Sequence, residues 1–274
     1  MCGIVGYVGN RSAAEIIIGG LKRLEYRGYD SAGVAVIGAQ GVELRRSVGK
    51  IASLEALVHE QPAEGSVGLG HTRWATHGRP SEANAHPHAD CTGSLVVVHN
   101  GILENYLSLK ERLLEAGHRF TSETDTEVIA HLVESYVARG LSLAAAARAA
   151  LGEVRGAYAV GILAASAPQQ LIVAKQGAGA VVVGLGKGET YVASDIPALL
   201  PHTRDMVLLE DGDHQCHPTA VEPLGGPAWG GDGRLGDEGL HLDEQRAVPV
   251  EHRRHDRAWR ARAAVGEEQR GRVG

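Results

Sequence analysis

The segment Leu95 to Asn100 reads Leu-Val-Val-Val-His-Asn, apolar at successive positions, as a strand buried on both faces should. Cys2 to Val8 is likewise short, β-branched and glycine-rich, and Ser66 to His71 reads as another strand. Ala32 to Ile37 and Val42 to Val48 flank Ala39-Gln40-Gly41 as a hairpin. Helical spacing appears between these runs. Ala14, Ile17, Ile18 and Leu21 form one stripe, and Glu104 to Ala116 and Thr126 to Ala138 form two more, with Ser122 or Thr124 and Asp125 as expected N-caps of the last. Four short strands then follow, Tyr158 to Ala164, Leu171 to Lys175, Ala180 to Val183 and Thr190 to Ala193. Strands with helices inserted in blocks favour an α+β layered sandwich over a doubly wound parallel sheet. The glycine-rich run at 184–189 lacks the Walker spacing and its Lys-Ser/Thr end, so it reads as a turn.

The chain has 274 residues, 43% hydrophobic and 22% charged, with net charge −6, which excludes collagen, coiled coil and a wholly disordered chain. Mild acidity gives no whole-chain attraction for nucleic acid or an anionic membrane, so neither is an expected partner and a small molecule is. Three cysteines without a CxxC pair argue against a disulfide framework and for a reducing, cytoplasmic setting. The N-terminus lacks a signal-peptide pattern, and the longest uncharged stretch, Gly156 to Ala174, is broken by Ser166, Pro168, Gln169 and Gln170, against a membrane span.

Composition changes after Asp213. Residues 214–274 hold nine Leu plus Val, no Ile, Met, Phe, Tyr or Lys, ten Gly and nine Arg. Nine aliphatic residues in 61 is about 15%, below the level at which a segment offsets its ordering entropy. The expected division is therefore a folded unit at 2–213 and a disordered or frame-shifted tail at 214–274. A reading-frame change near Asp213 and a solvated low-complexity tail are both open, and resequencing separates them.

Position singles out Cys2. Removal of Met1, which a small second residue permits, leaves a free α-amine beside the thiol. With pKa values of about 7.7–8.0 and about 8.5, that amine can take the thiol proton near neutral pH, so nucleophile and base come from one residue. His86, His88 and Cys91 contain metal-ligand types, yet Pro87 lies between the histidines and a fourth ligand is missing, so no metal is expected.

Five ordered motifs surround this feature: Cys2-Gly3-Ile4-Val5-Gly6, Glu25-Tyr26-Arg27-Gly28-Tyr29-Asp30-Ser31-Ala32-Gly33, Gly70-His71-Thr72-Arg73-Trp74-Ala75-Thr76-His77-Gly78, Val98-His99-Asn100-Gly101 and Ser122-Glu123-Thr124-Asp125-Thr126-Glu127. Together they resemble the class II glutamine amidotransferases, and within them the glutaminase domain of glucosamine-6-phosphate synthase. The resemblance covers roughly residues 2–213. It implies a four-layer αββα sandwich of the N-terminal nucleophile hydrolase type, in agreement with the layered patterning. It also implies that the Asn100 amide and the Gly101 N–H face a developing oxyanion, and that Arg27 lies near the nucleophile, where a cation favours thiolate.

Free glutamine carries a carboxylate and an ammonium, and Arg73 and Asp125 match those charges. Thr76 and His77 are expected to add hydrogen bonds at the carboxylate end, and Trp74 to serve as lid or ammonia gate. Taken alone, Asp125 reads as an N-cap, Arg27 as a surface arginine, Asn100-Gly101 as a turn pair and Trp74 as packing. The implied partner is L-glutamine, with no cofactor; fructose 6-phosphate enters only if a sugar isomerase half is supplied, since residues 214–274 show no pattern for one. A phosphoribosyl or asparagine synthetase type glutaminase would share Cys2, the arginine and Asn-Gly, but the Tyr-Arg-Gly-Tyr-Asp and Trp-Ala-Thr-His forms argue against it. A catalytically silent fragment that binds glutamine is the rival from another class, and a purely structural domain the third reading. The oligomeric state is left open.

Overall fold

The computed structural model describes residues 2–74, 78–177 and 179–211, together with the backbone of three short strand segments beyond them. The chain opens with β1 (Gly3–Val8), α1 (Ala13–Leu24), a 3-10 turn (Glu25–Arg27), the hairpin β2 (Ser31–Gly38) and β3 (Gly41–Val48), α2 (Ile51–Glu60) and β4 (Val67–Arg73). It continues through β5 (His88–Ala89), β6 (Leu95–Leu103), α3 (Tyr106–Glu115), α4 (Glu127–Ala138) and α5 (Leu143–Glu153). Strands β7 (Gly156–Ala164), β8 (Ile172–Gln176), β9 (Val182–Gly186), β10 (Glu189–Ala193) and β11 (Asp205–Leu208) complete the core. The short segments β12 (His214–Cys216), β13 (Glu222–Pro223) and β14 (Val248–Pro249) add to the sheet edges. The remainder of the expected tail lies outside the described residues.

The strands form two antiparallel sheets. One runs β14-β11-β9-β10-β1-β4-β2-β3, the other β13-β12-β8-β7-β6-β5. Period-2 alternation explains why they stack. In β1, Val5 and Tyr7 pack among Ile17 and Leu21 of α1, while Ile4 and Val8 join Leu69, Val96 and Val98 between the sheets. In β6, Val96 and Val98 face the other sheet, while Leu95 and Val97 pack with Val128, Ile129 and Leu132 of α4. The three apolar clusters therefore separate four layers: α1 and α2, the first sheet, the second sheet, and α3 to α5. Each central strand is covered on both faces, as the unbroken apolar run in β6 requires.

Most expected elements are present, with two helices and the short strands β5 and β11 added. Helices α2 and α5 extend the pattern read from sequence, and α5 starts where the Ser142 side chain accepts from the Ala145 N–H. The expected cap of α4 is not made. Its N-cap is Thr126, without a side-chain hydrogen bond, and the Asp125 carboxylate instead accepts the Leu103 N–H at 2.9 Å. The glycine-rich run at 184–189 spans the end of β9, the turn at Lys187 and Gly188, and the first residue of β10. No helix among the described residues is long and apolar enough to cross a membrane.

Candidate active site

Cys2 is the residue before β1, and register decides its neighbours. Gly3 pairs with Thr72 across β1 and β4, which sets Cys2 beside Arg73 and Trp74. The Trp74 N–H donates to Cys2 Sγ at 3.3 Å, and the thiol faces the Trp74 carbonyl at 3.6 Å. Burial pushes the Cys2 thiol up, while the Trp74 amide and the Arg73 charge draw it down. The sequence reading assigned Trp74 by its side chain. That indole is exposed and meets Tyr29 edge-on at 5.6 Å, a position open to a gating role, but the contact with the thiol belongs to the backbone.

Arg73 ends β4 buried, with Nη2 donating to the Gly78 carbonyl at 3.2 Å. Burial lowers its pKa, and the negative charge of Cys2, Asp30 and Asp125 works in the opposite direction. The backbone of β4 and the preceding loop is drawn tight here. The Asp30 N–H donates to the Arg73 carbonyl at 3.1 Å, and the Thr72 hydroxyl donates to the Gly28 carbonyl. A Cβ on Gly28 would stand 2.7 Å from the Arg73 carbonyl carbon and 2.9 Å from the Trp74 nitrogen, so no larger residue admits this approach.

Asn100 reaches the same place from the other sheet. It follows Val96 and Val98 on the inter-sheet face of β6, as His71 follows Val67 and Leu69 on β4. At this end the apolar interface between the sheets becomes polar. Asn100 Nδ2 donates to the Cys2 carbonyl at 3.2 Å, and His71 Nε2 lies 2.9 Å from Asn100 Oδ1. A carbonyl only accepts, so Nδ2 must face Cys2 and Oδ1 must face His71; His71 then carries its proton on Nε2. Burial pushes His71 down to about 3, which keeps the ring neutral.

Gly101 has φ of 142°, and a Cβ there would lie 2.0 Å from the Ala157 carbonyl oxygen. Only glycine fits, and the Asn100-Gly101 pair lies within β6, not in a hairpin turn. Asp125 is buried before α4, close enough to Arg73 and His99 for its charge to act on both. Among the contacts of Arg27, Nη1 donates to the Ser194 carbonyl at 2.8 Å and to Asp195 Oδ2 at 3.1 Å. Ser194 in turn receives the Ile4 N–H at 3.0 Å, so Arg27 braces the strand that carries Cys2. Thr76 and His77 lie outside the described residues.

Cys2, Arg73, Asn100, Gly101, Trp74 and Asp125 thus come from separate chain segments to one end of the sandwich. His71 and the Trp74 backbone belong with them and were not singled out from sequence. The histidines expected as weak metal candidates separate from Cys91. His86 stacks on His71 at 4.2 Å between ring centres, and His88 Nε2 lies 2.9 Å from Thr124 Oγ1.

Residues 71–201 match the family model described as glutamine amidotransferase domain. The fold agrees with solved relatives: glutamine phosphoribosylpyrophosphate amidotransferase from B. subtilis superposes with a TM-score of 0.70 at 27% identity, covering 81% of this chain and 48% of that one. A class II glutamine aminotransferase domain protein from Silicibacter pomeroyi, 17% identical, shares the fold over 82% of this chain and its own full length, with a TM-score of 0.54. The chain belongs to the class II glutamine amidotransferases, with their N-terminal nucleophile hydrolase fold.

Within that class it falls with the glutaminase domain of glutamine–fructose-6-phosphate aminotransferase (isomerizing). The enzyme of that name from Thermus thermophilus is 47% identical over 264 residues, 96% of this chain and 40% of the relative. The one from Gloeobacter violaceus is 52% identical over 214 residues, 78% of this chain and 35% of the relative. The chain therefore spans about two fifths of the length of the first of these curated relatives.

Proposed function

We propose that this chain removes the side-chain amide of L-glutamine, with the unit at 2–213 carrying the reaction. The observation that carries the reading is the convergence of the Cys2 thiol, the buried Arg73 and the Asn100 amide at one end of the two sheets. Once Met1 is removed, the α-amine of Cys2 accepts the thiol proton and the thiolate attacks the amide carbon. The carbonyl oxygen becomes an oxyanion facing Asn100 Nδ2, which swings from the Cys2 carbonyl, and the Gly101 N–H. The same amine returns its proton to the departing nitrogen. Ammonia leaves a γ-glutamyl thioester on Cys2, and water attacks that ester to release glutamate.

Arg73 pairs with the substrate carboxylate, with Thr76 and His77 adding hydrogen bonds, and Asp125 pairs with its ammonium. Arg27 supplies a cation near the nucleophile that favours thiolate and also braces β1 through Ser194 and Ile4, and Trp74 covers the site. None of these steps calls for a cofactor. The activity for which the relatives are named supports transfer of the ammonia to fructose 6-phosphate when a sugar isomerase half is supplied, with this chain responsible for the glutaminase half-reaction. A cytoplasmic setting fits both.

The test is glutamate release from glutamine by the purified chain beside Cys2→Ala, with intact mass to show whether Met1 is gone. Turnover by the processed chain that disappears in Cys2→Ala is the expected result. A processed chain whose melting temperature rises with glutamine but which releases no glutamate would overturn the reading in favour of a silent binder.

A further inference from the structure

On the helical side of the second sheet, away from the Cys2 site, a second group of chemistry-bearing side chains converges. Cys91 follows the short strand β5, His118 lies in the loop after α3, and His131 and Glu134 lie three apart on α4, on one face of that helix. One ligand atom from each lies within 4.8 Å of all the others, and no other such group of four occurs among the described residues. Cys91 Sγ is 3.6 Å from His118 Nδ1 and 3.6 Å from His131 Nδ1. Glu134 Oε2 is 2.8 Å from the first nitrogen and 3.0 Å from the second.

Donor and acceptor accounting leaves this centre short of positive charge. The Ser135 hydroxyl donates to the His131 carbonyl at 2.9 Å, so it can only accept from His118 Nε2, also at 2.9 Å. A neutral His118 then has its proton on Nε2 and a bare lone pair on Nδ1, aimed at a carboxylate. His131 Nε2 faces Glu127 Oε1 at 3.7 Å, which favours the proton there and leaves its Nδ1 lone pair aimed at the same carboxylate and at the sulfur. Two imidazole lone pairs, a thiol sulfur and a carboxylate oxygen therefore meet at a point. Either protons or a cation must lie among them.

The spacing is compatible with a tetrahedral cation. For tetrahedral zinc, with Zn–S about 2.3 Å and Zn–N about 2.0–2.1 Å, the sulfur–nitrogen edge is about 3.6 Å and the nitrogen–oxygen edge about 3.3 Å. The sulfur–nitrogen edges already have that length, and the nitrogen–oxygen edges need to open by a few tenths of an ångström. Hydrogen bonds that hold each imidazole by its other nitrogen are the usual support of a ligating histidine, and Ser135 supplies one. The Arg119 N–H, 3.4 Å from Cys91 Sγ, is placed to support a thiolate.

We propose that Cys91, His118, His131 and Glu134 bind a divalent transition metal, Zn2+ by the borderline softness of the four donors. Binding displaces to solvent the Cys91 thiol proton and any proton that the two Nδ1 atoms share with Glu134, and makes four metal–ligand bonds with no change of oxidation state. All four positions are protein-filled, so the site is structural. It ties the β5–β6 turn and the α3–α4 loop to α4, and so steadies the segment that carries Asp125.

The test uses the full chain and Zn2+ or Co2+ alone. Expected results are one equivalent of zinc retained through gel filtration, kept in Cys2→Ser and Cys216→Ser and lost in Cys91→Ser and His118→Ala. Co2+ should give a near-ultraviolet thiolate charge-transfer band that Cys91→Ser lacks. Because these variants can fail to fold, alkylation of the unaltered chain is followed by peptide mapping, where saturating Zn2+ should protect Cys91. Absence of bound metal in the unaltered chain, equal retention by folded Cys91→Ser, or alkylation of Cys91 indifferent to Zn2+ each overturns the proposal and leaves protons as the shared charge.

Discussion

The orientation of the Asn100 amide is set by the Cys2 carbonyl, which can only accept, and is held from its other side by the His71 ring. With Cys2 and His71 both fixed, rotating the amide would set oxygen against the Cys2 carbonyl and nitrogen against the His71 N–H. Losing one oxyanion donor costs roughly 10²–10³-fold in kcat, so Asn100→Ala should fall in that range in a glutaminase assay. His71→Ala leaves the donor present but free to turn, and kcat should fall by about 10- to 100-fold with KM for glutamine nearly unchanged. A residue that only fills space would not be rescued by His71→Gln, whose amide N–H restores the contact; recovery of kcat in that variant separates the two. Asn100 and Gly101 were legible because a motif names them. His71 stands inside a motif too but was given no role, since by residue type it is only the polar end of an apolar strand, and the Trp74 amide was invisible because a backbone contact leaves no mark on residue type.

Helix α5 shows why elements escape a reading by hydrophobic period. Its buried residues Leu143, Ala146, Ala147, Ala150 and Leu151 keep helical spacing, but alanine is apolar on every face of Leu-Ala-Ala-Ala-Ala-Arg-Ala-Ala and blurs the stripe. The legible signals were alanine's helix propensity and the Ser142 cap. The start of α4 is different. Serine, threonine and aspartate before a helix point to a side-chain cap, yet Asp125 turns to Leu103 and leaves the loop to Glu127. That buried carboxylate accepts from the Thr121 and Ser122 amides at 2.8 and 2.7 Å and from their hydroxyls at 2.9 and 2.6 Å. Glu127→Ala leaves these donors without an acceptor, and with hydrogen bonds to a charged group worth about 1.5–3 kcal/mol each, a loss of at least about 3 kcal/mol is expected in urea unfolding. A change within about 0.5 kcal/mol would mean water replaces the carboxylate.

At the scale of the molecule, patterning made a layered α+β sandwich legible, because strands apolar on both faces demand cover from two sides, while the number of layers came with the family resemblance. The polar filling at one end of the layers was not legible, and it sets the response to acid. His71, His86, His88 and His99 are buried there, and burial lowers each: His71 and His88 to about 3, His86 and His99 in the same direction. An unfolded histidine titrates near 6.5, so below that pH the unfolded chain takes up protons that the folded chain refuses. Stability from these groups is complete above about pH 6.5 and declines as pH falls from there toward about 3, by up to about 1.4 kcal/mol per pH unit for each histidine. The decline begins before carboxylates titrate, so the urea midpoint should already drop between pH 7 and pH 5. His88→Gln offers an amide to the Thr124 hydroxyl and removes one of the four titrations. If burial of these rings is the cause, the stability–pH slope of that variant should be shallower by about 1.4 kcal/mol per unit at pH 5. An unchanged slope would place the acid response in the carboxylates instead.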